Sequence, residues 1–337
     1  MDTASGYRTG NVMGHKIVVT RTPPGQVTEW LRSVGDVWVW DENRAIARSE
    51  LIDRVRAATG LYCMLTDAID EELLEAAPDL VAVSQMAVGV DNIDVPACTS
   101  RGIPVGHTPD VLTETTADLA FGLLIAAARR IEEAAGYVRA GRWTQWEPEL
   151  LLGRDLHGST IGIIGLGRIG RAVARRASGF RMRTLYTKRT RDPVYEEEYG
   201  VEFRALDDLL AESDHVVVVC ALTRETHHLI DGRALVRMKP TATLVNVARG
   251  PIVMTGALVE ALAEGVIAAA ALDVTDPEPL PHDHPLVTMR NCLVTPHIGS
   301  ASVRSRVHMA EVAAGNLIAA LNGEPMPHAV NPEVYAR

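Results

Sequence analysis

Short runs of consecutive apolar residues alternate along this chain with stretches whose apolar positions recur every three to four residues. The first run, His15–Thr20, predicts a strand. A helical period follows near Gln26–Val34, a strand near Val37–Trp40 and a helix near Arg48–Ala58. A strand at Leu61–Leu65, a helix at Glu71–Ala77 and a strand at Leu80–Gln85 continue the alternation. Unbroken apolar strands separated by helices predict a parallel sheet covered on both faces. A long apolar, alanine-rich helix is expected over Thr113–Ala140, capped by Asp110 or Thr113, ended by Gly141 and able to pack between domains or subunits. A loop with two tryptophans, RWTQWEPELLLG, follows it.

The alternation resumes at Thr160. IGIIGLG reads as a strand entering a glycine turn, Gly170–Ser178 as a helix and Arg183–Thr187 as the next strand. Later strands are expected at His215–Cys220, Thr243–Val247, Ala268–Val274 and Asn291–Thr295. A final helix, Ser302–Leu321, has no strand of its own to serve. It is expected to cross back to the first region and make that domain discontinuous. The division is then residues 1–106 plus 302–337 for one domain and 107–301 for the other.

The length, 337 residues, suits two domains. A net charge of −10 repels phosphate backbones and anionic lipid, which argues against nucleic acid or a membrane surface as partner. Cys63, Cys98, Cys220 and Cys292 form no C-x-x-C pair and read as buried free thiols of a reducing compartment. The N-terminal MDTASGYRTGNVMGHK lacks the apolar core of a signal peptide. It reads as a loose tail with Met13 as an alternative start, and the protein is expected in the cytoplasm.

The first region carries no glycine-rich loop; the second does. Gly165-Leu166-Gly167-Arg168-Ile169-Gly170 is a G-x-G-x-x-G between a strand and a helix. The first glycine allows the tight turn, the second lets backbone approach a pyrophosphate and the third lets helix and strand pack closely. The helix N-terminus offers free N–H groups to the phosphates. An acid about 20 residues later would bind the ribose 2′-hydroxyl of NAD. The chain instead reads Tyr186-Thr187-Lys188-Arg189-Thr190-Arg191, with no acid before Asp192. A cationic loop suits the 2′-phosphate of NADP, with Arg189 as its main ligand and Lys188 beside it; a solvated basic loop is the alternative. NADPH is therefore the expected cofactor, with NADH also possible.

In open parallel sheets, ligands sit beyond the carboxyl ends of the strands. Arg249 follows TLVNV, Glu278 follows AAALDV and His297 follows NCLVT. Three loops thus bring a guanidinium, a carboxylate and an imidazole to the edge that carries the glycine turn. Reducing a keto acid requires a cation for its carboxylate and carbonyl, and an acid for the developing alkoxide. Arg249 fits the first role by forked geometry and His297 the second. Glu278 would hold the other ring nitrogen and favour the imidazolium.

With these residues the sequence resembles the D-isomer-specific 2-hydroxyacid dehydrogenases from about Lys16 to Val330. The matching pieces are VGVDNID, TPDVLTETTADLA, GIIGLGRIG, NVARG, LDVTDPEPLP and TPHIGSA. LYCMLTD, WTQWEP and GEPMP look most like the glyoxylate reductase/hydroxypyruvate reductase branch. The resemblance implies an α/β architecture of two doubly wound parallel-sheet domains. One is a Rossmann dinucleotide-binding domain, the other a flavodoxin-like substrate domain, with the active site in the cleft between them. It implies His297 as general acid, Glu278 as its partner and Arg249 as substrate clamp. Val88 and Gly89 would bind the substrate carboxylate through their backbone, Ser300 would contact substrate and Leu65 would lie over the pocket. Trp146 would reach the neighbouring subunit's active site in a homodimer, although read alone it is a core aromatic under its loop. Gly167, Arg168 and Ile169 would meet the pyrophosphate, Ala221 and Val247 would line the groove, and Asp273 and Gly299 would hold the carboxamide.

Two places depart from the family pattern. Met254 stands where many members carry an acid, with Thr255 expected to cap the following helix. Cys220-Ala221-Leu222 lacks a common proline. The implied activity is NADPH-preferring reduction of glyoxylate to glycolate and of hydroxypyruvate to D-glycerate. Reduction of another 2-keto acid, such as 2-ketogluconate, and a non-enzymatic dinucleotide-sensing role remain alternatives. His282-Asp283-His284 and His227-His228 lack partner ligands at zinc spacing and read as polar loops, so no metal is expected.

Overall fold

The structure, a computed structural model, describes residues 14–336. The expected N-terminal tail through Met13 lies outside the described residues. The chain divides into two compact units. One runs to Val111 and resumes at Ser302; the other is Leu112–Ala301.

The first unit contains β1 (His15–Val19), α1 (Val27–Arg32), β2 (Gly35–Val39), α2 (Arg48–Val55), β3 (Gly60–Cys63), α3 (Glu71–Ala76), β4 (Ala82–Gln85), α4 (Val95–Ser100) and β5 (Val105–Gly106). The strands are parallel in the order β2-β1-β3-β4-β5, the doubly wound order of flavodoxin-like sheets. One face packs Val18, Leu61, Cys63, Val83 and Val105 against Leu51, Val55, Leu73 and Cys98. The C-terminal helix, Val303–Leu321, packs on β3, β4 and β5. There the Tyr62 hydroxyl donates to the Ala310 carbonyl (3.2 Å) and Ser84 Oγ to that of Ala313 (2.7 Å). The break between units falls after Val111, five residues later than expected. The reason is hydrogen bonding: His107 N–H donates to the His328 carbonyl (3.1 Å) and Thr108 N–H to that of Ala87 (2.9 Å), so both residues belong with the first sheet.

The second unit opens with α5 (Thr113–Ala128) and α6 (Ile131–Arg139). Then come β6 (Thr160–Ile164), α7 (Arg168–Gly179), β7 (Arg183–Thr187), α8 (Pro193–Tyr199), β8 (Glu202–Phe203), α9 (Leu206–Glu212) and β9 (His215–Val218). α10 (Gly232–Arg237), β10 (Thr243–Asn246), α11 (Thr255–Ala263), β11 (Ala269–Leu272), α12 (Pro285–Thr288) and β12 (Cys292–Val294) complete it. The parallel sheet runs β12-β11-β10-β9-β6-β7-β8, a Rossmann order that reverses direction between β6 and β9. Alternate residues feed two cores. Val216, Val218 and Leu244 face Leu209, Leu235 and Leu262, while Val217, Val245 and Ile163 face Leu124 and Val173.

The single helix expected over Thr113–Ala140 is two. Arg130 adopts φ 54°, and the Ala128 carbonyl accepts from Arg154 N–H (2.8 Å) instead of continuing the helix. Leu112 occupies the N-cap position without a side-chain bond, and Thr113 is the first helical residue rather than the cap. No helix among the described residues is long and apolar enough to cross a membrane.

Candidate active site

Three neighbouring strands, β10, β11 and β12, end beside one another, and each leads into a loop that carries one of the side chains singled out from the sequence. Beyond β10, the fully buried Asn246 accepts from Ala248 N–H (3.0 Å) and donates to the Arg249 carbonyl (2.9 Å). It shapes the turn that presents Arg249. Gly250 follows because a Cβ there would stand 1.9 Å from the Thr275 carbonyl oxygen. The turn therefore lies against the loop beyond β11.

That loop carries Glu278, whose Oε2 accepts from Thr275 N–H (3.2 Å) and whose Oε1 lies 2.6 Å from His297 Nδ1. Burial alone would raise the Glu278 carboxyl. The bond from His297, the charge of His297, the Thr275 amide and the charge of Arg249 together hold it below the ordinary carboxylate range. The three groups foreseen from the sequence thus act on one another.

Beyond β12, His297 itself has φ 53°, an uncommon backbone state for a residue with a Cβ. Asp273, almost fully buried at the end of β11, holds it there. Its Oδ1 accepts from Ile298 N–H (2.8 Å) and the Thr295 hydroxyl (2.6 Å), its Oδ2 from Gly299 N–H (2.7 Å), and its carbonyl from His297 N–H (2.9 Å). Asp273 is thus first an anchor of the histidine loop. Ser300, also buried, follows directly.

The residues fit a dinucleotide. Gly165 has φ 104°, and a Cβ on it would meet Cys220 backbone at 2.7 Å. A Cβ on Gly170 would stand 2.1 Å from the Gly165 carbonyl oxygen, whereas nothing lies within 4 Å of one on Gly167. Helix and strand therefore close tightly below an open second glycine. That residue caps α7 without a side chain, and the amides of the first turn, at Arg168 and Ile169, can receive phosphate oxygens. Lys188, Arg189 and Thr190 follow β7, next to the turn, because Gly165 N–H donates to the Thr187 carbonyl (2.9 Å). Val247 at the end of β10 is buried, and Ala221 beyond β9 is exposed.

In the first unit, Leu65, Val88 and Gly89 lie in loops beyond β3 and β4, all partly exposed. A polar network missed in the sequence ties these loops together. Fully buried Gln85 donates to the Gly89 carbonyl (2.5 Å), and Asn92 donates to Gln85 Oε1 (2.7 Å) and to the Asp67 carbonyl (2.7 Å). The Asp67 carboxylate accepts from the Thr20 hydroxyl (2.5 Å) and Met64 N–H (2.7 Å). The sequence offered only a glutamine closing an apolar run, without its partners.

Other expectations change. Trp146 is 79% exposed and is no core aromatic. Thr255 caps nothing: it is the first residue of α11, and its hydroxyl donates to the Asp276 carbonyl (2.7 Å). His284 caps α12 by accepting from Leu286 N–H (3.3 Å), and the His227 and His228 rings lie 3.9 Å apart.

Residues 121–299 match the model of the D-isomer specific 2-hydroxyacid dehydrogenase NAD binding domain. The chain is 51% identical over 326 residues to a glyoxylate reductase of Thermococcus gammatolerans, covering 96% of this chain and 97% of that one. It is 49% identical over 323 residues to one from Korarchaeum cryptofilum, covering 96% and 97%. Among solved structures, it resembles an NADPH-dependent glyoxylate/hydroxypyruvate reductase from Sinorhizobium meliloti in complex with NADP and malonate. That match has a TM-score of 0.83 and 32% identity, and covers 95% of this chain and 98% of the other. Sheet order, glycine turn, strand-end residues and these likenesses converge: the chain belongs to the D-isomer-specific 2-hydroxyacid dehydrogenase family and is an enzyme of that family.

Proposed function

We propose that this enzyme reduces glyoxylate to glycolate and hydroxypyruvate to D-glycerate, preferring NADPH and accepting NADH. The observation that carries the reading is the 2.6 Å approach of His297 Nδ1 to Glu278, with the charge of Arg249 acting on the same carboxylate. The names of the relatives, glyoxylate reductases at about half identity over nearly the whole chain, support the substrate. When bound, the dihydronicotinamide supplies a hydride to the keto carbon. Arg249 holds the substrate carboxylate and carbonyl oxygen with its forked guanidinium. Glu278 fixes the His297 ring through Nδ1, and Nε2 delivers the proton to the alkoxide as it develops. Carbonyl, hydride and proton together account for the hydroxy acid.

The backbone of Val88 and Gly89 binds the substrate carboxylate, Ser300 contacts substrate and Leu65 covers it. Gly165, Gly167, Arg168, Ile169 and Gly170 receive the pyrophosphate, and Lys188, Arg189 and Thr190 the 2′-phosphate. Ala221 and Val247 line the groove, with Asp273 and Gly299 toward the carboxamide. The protein works as a homodimer in which Trp146 reaches the neighbouring subunit's site. Ile131, Val138, Trp143, Trp146 and Leu152 are all exposed on one segment, which supports that assembly. Four free thiols, at Cys63, Cys98, Cys220 and Cys292, suit a cytoplasmic setting.

The test is NADPH oxidation with a panel of 2-keto acids. Turnover of about 1–10³ s⁻¹ with glyoxylate or hydroxypyruvate is expected. Faster turnover of 2-ketogluconate, or none with any acid despite dinucleotide binding, overturns the reading.

A further inference from the structure

The cationic loop beyond β7 is less free than its sequence suggests. Asp192 Oδ2 accepts from Arg171 Nη2 (2.5 Å) and lies 3.4 Å from Lys188 Nζ. Its Oδ1 accepts from Tyr195 N–H (3.4 Å), capping α8, and its own N–H donates to the Tyr186 hydroxyl (2.8 Å). The carboxylate is therefore fixed from three sides. Arg191 is likewise taken, forked onto Glu196 at 2.8 and 2.6 Å. Arg189 alone of the four cations around Asp192 is exposed with no hydrogen bond or ion pair among the described residues, and the charge of Glu225 acts on it. Arg171 sits on the first turn of α7, directly after Gly170. Its guanidinium lies 4.8 Å from the Tyr195 ring centre, and its Nε is buried without a partner among the described residues. Arg171 and Lys188 thus stand on either side of the glycine turn with their charge directed at an internal acid.

We propose that Asp192 sets the strength of cofactor discrimination, as a built-in carboxylate that competes with the cofactor 2′-phosphate for Lys188 and Arg171. The proposal rests on the NADPH reading above. A 2′-phosphate carries up to two negative charges, and cations already paired with a carboxylate attract it less than free ones. The loop therefore presents one unengaged arginine and two cations in reserve. Asp192 is a specificity determinant that weakens binding of the phosphorylated ligand while ordering α8.

The experiment is calorimetric titration of the whole protein with 2′,5′-ADP and with ADP, at one ionic strength, for wild type, Asp192→Asn, Lys188→Gln and the double variant. Asparagine keeps the size of the side chain and an oxygen for the Tyr195 cap. Asp192→Asn should tighten 2′,5′-ADP about three- to tenfold and leave the ADP constant within about twofold. Lys188→Gln should weaken 2′,5′-ADP more in the Asp192→Asn background than in wild type, because there the lysine is released. No gain in Asp192→Asn, or an equal gain for both ligands, overturns the proposal. Failure of the underlying reading looks different: wild type then binds 2′,5′-ADP no better than ADP, and Arg189→Ala changes neither constant.

Discussion

His297 occupies a backbone state that costs energy, and the side chain that holds it there is not the one that partners its ring. Asp273 grips the backbone through two successive amides, while Glu278 faces Nδ1. The two acids therefore separate in a kinetic experiment. His297→Ala should lower kcat for keto-acid reduction by about 10²–10⁴, the range of a lost general acid. Glu278→Gln removes the carboxylate that fixes the His297 ring, so kcat should fall by about tenfold or more while dinucleotide binding stays unchanged. An unchanged kcat removes Glu278 from the proton path. That Glu278 meets His297, with Arg249 acting on it, was legible because the three lie in loops beyond neighbouring strands of one sheet. Asn246, Gln85 and Asn92 were not legible as positioning residues. Asn246 and Gln85 bond to carbonyls three and four residues on and Asn92 to that of Asp67 in another loop, bonds that only three-dimensional placement reveals.

At the scale of elements, the glycine turn is the most tightly determined. Gly170→Ala would press a methyl carbon onto the Gly165 carbonyl, so it should cost about 1–3 kcal/mol of stability and weaken NADPH binding. Urea unfolding and a fluorescence titration check both. The edge of the same sheet carries a charge cluster: Arg183 spans Glu202 and Glu212 at 2.8 Å each, and Arg204 repeats the pattern. Hydrogen bonding from Arg183, outweighing burial and joined by Arg204, lowers the Glu202 carboxyl to about 2. Its folded value lies below its unfolded one, so its contribution is complete above a pH of about 4.5 and is lost as pH falls toward 2. The urea midpoint should fall across that window, and less steeply in Arg183→Gln. Strands and most helices were legible because their apolar periods are clean. The break at Arg130 was not, because Ile131–Arg139 keeps a helical period while a distant amide, Arg154 N–H, claims the Ala128 carbonyl.

For the whole molecule, two sheets of familiar winding were legible from the alternation of strand and helix, and so was the return of the last helix to the first sheet. The exact break after Val111 was not, since it depends on bonds from residues 107 and 108 to partners far along the chain. Assembly is testable at this scale. Light scattering should give twice the mass of one chain, and a monomer under dilute conditions would remove Trp146 from any shared site.

The C-terminal helix also bears on how the molecule is made. Tyr62 and Ser84 find their hydrogen-bond acceptors only at Ala310 and Ala313, about 230 to 250 residues further along. On the ribosome, the sheet translated first must wait with one face bare until Val303–Leu321 has been made. The dinucleotide unit, contiguous in sequence, can close meanwhile. A nascent chain stalled before Ser302 should therefore protect the later-made half from protease while leaving the earlier-made half open to cleavage and to chaperones.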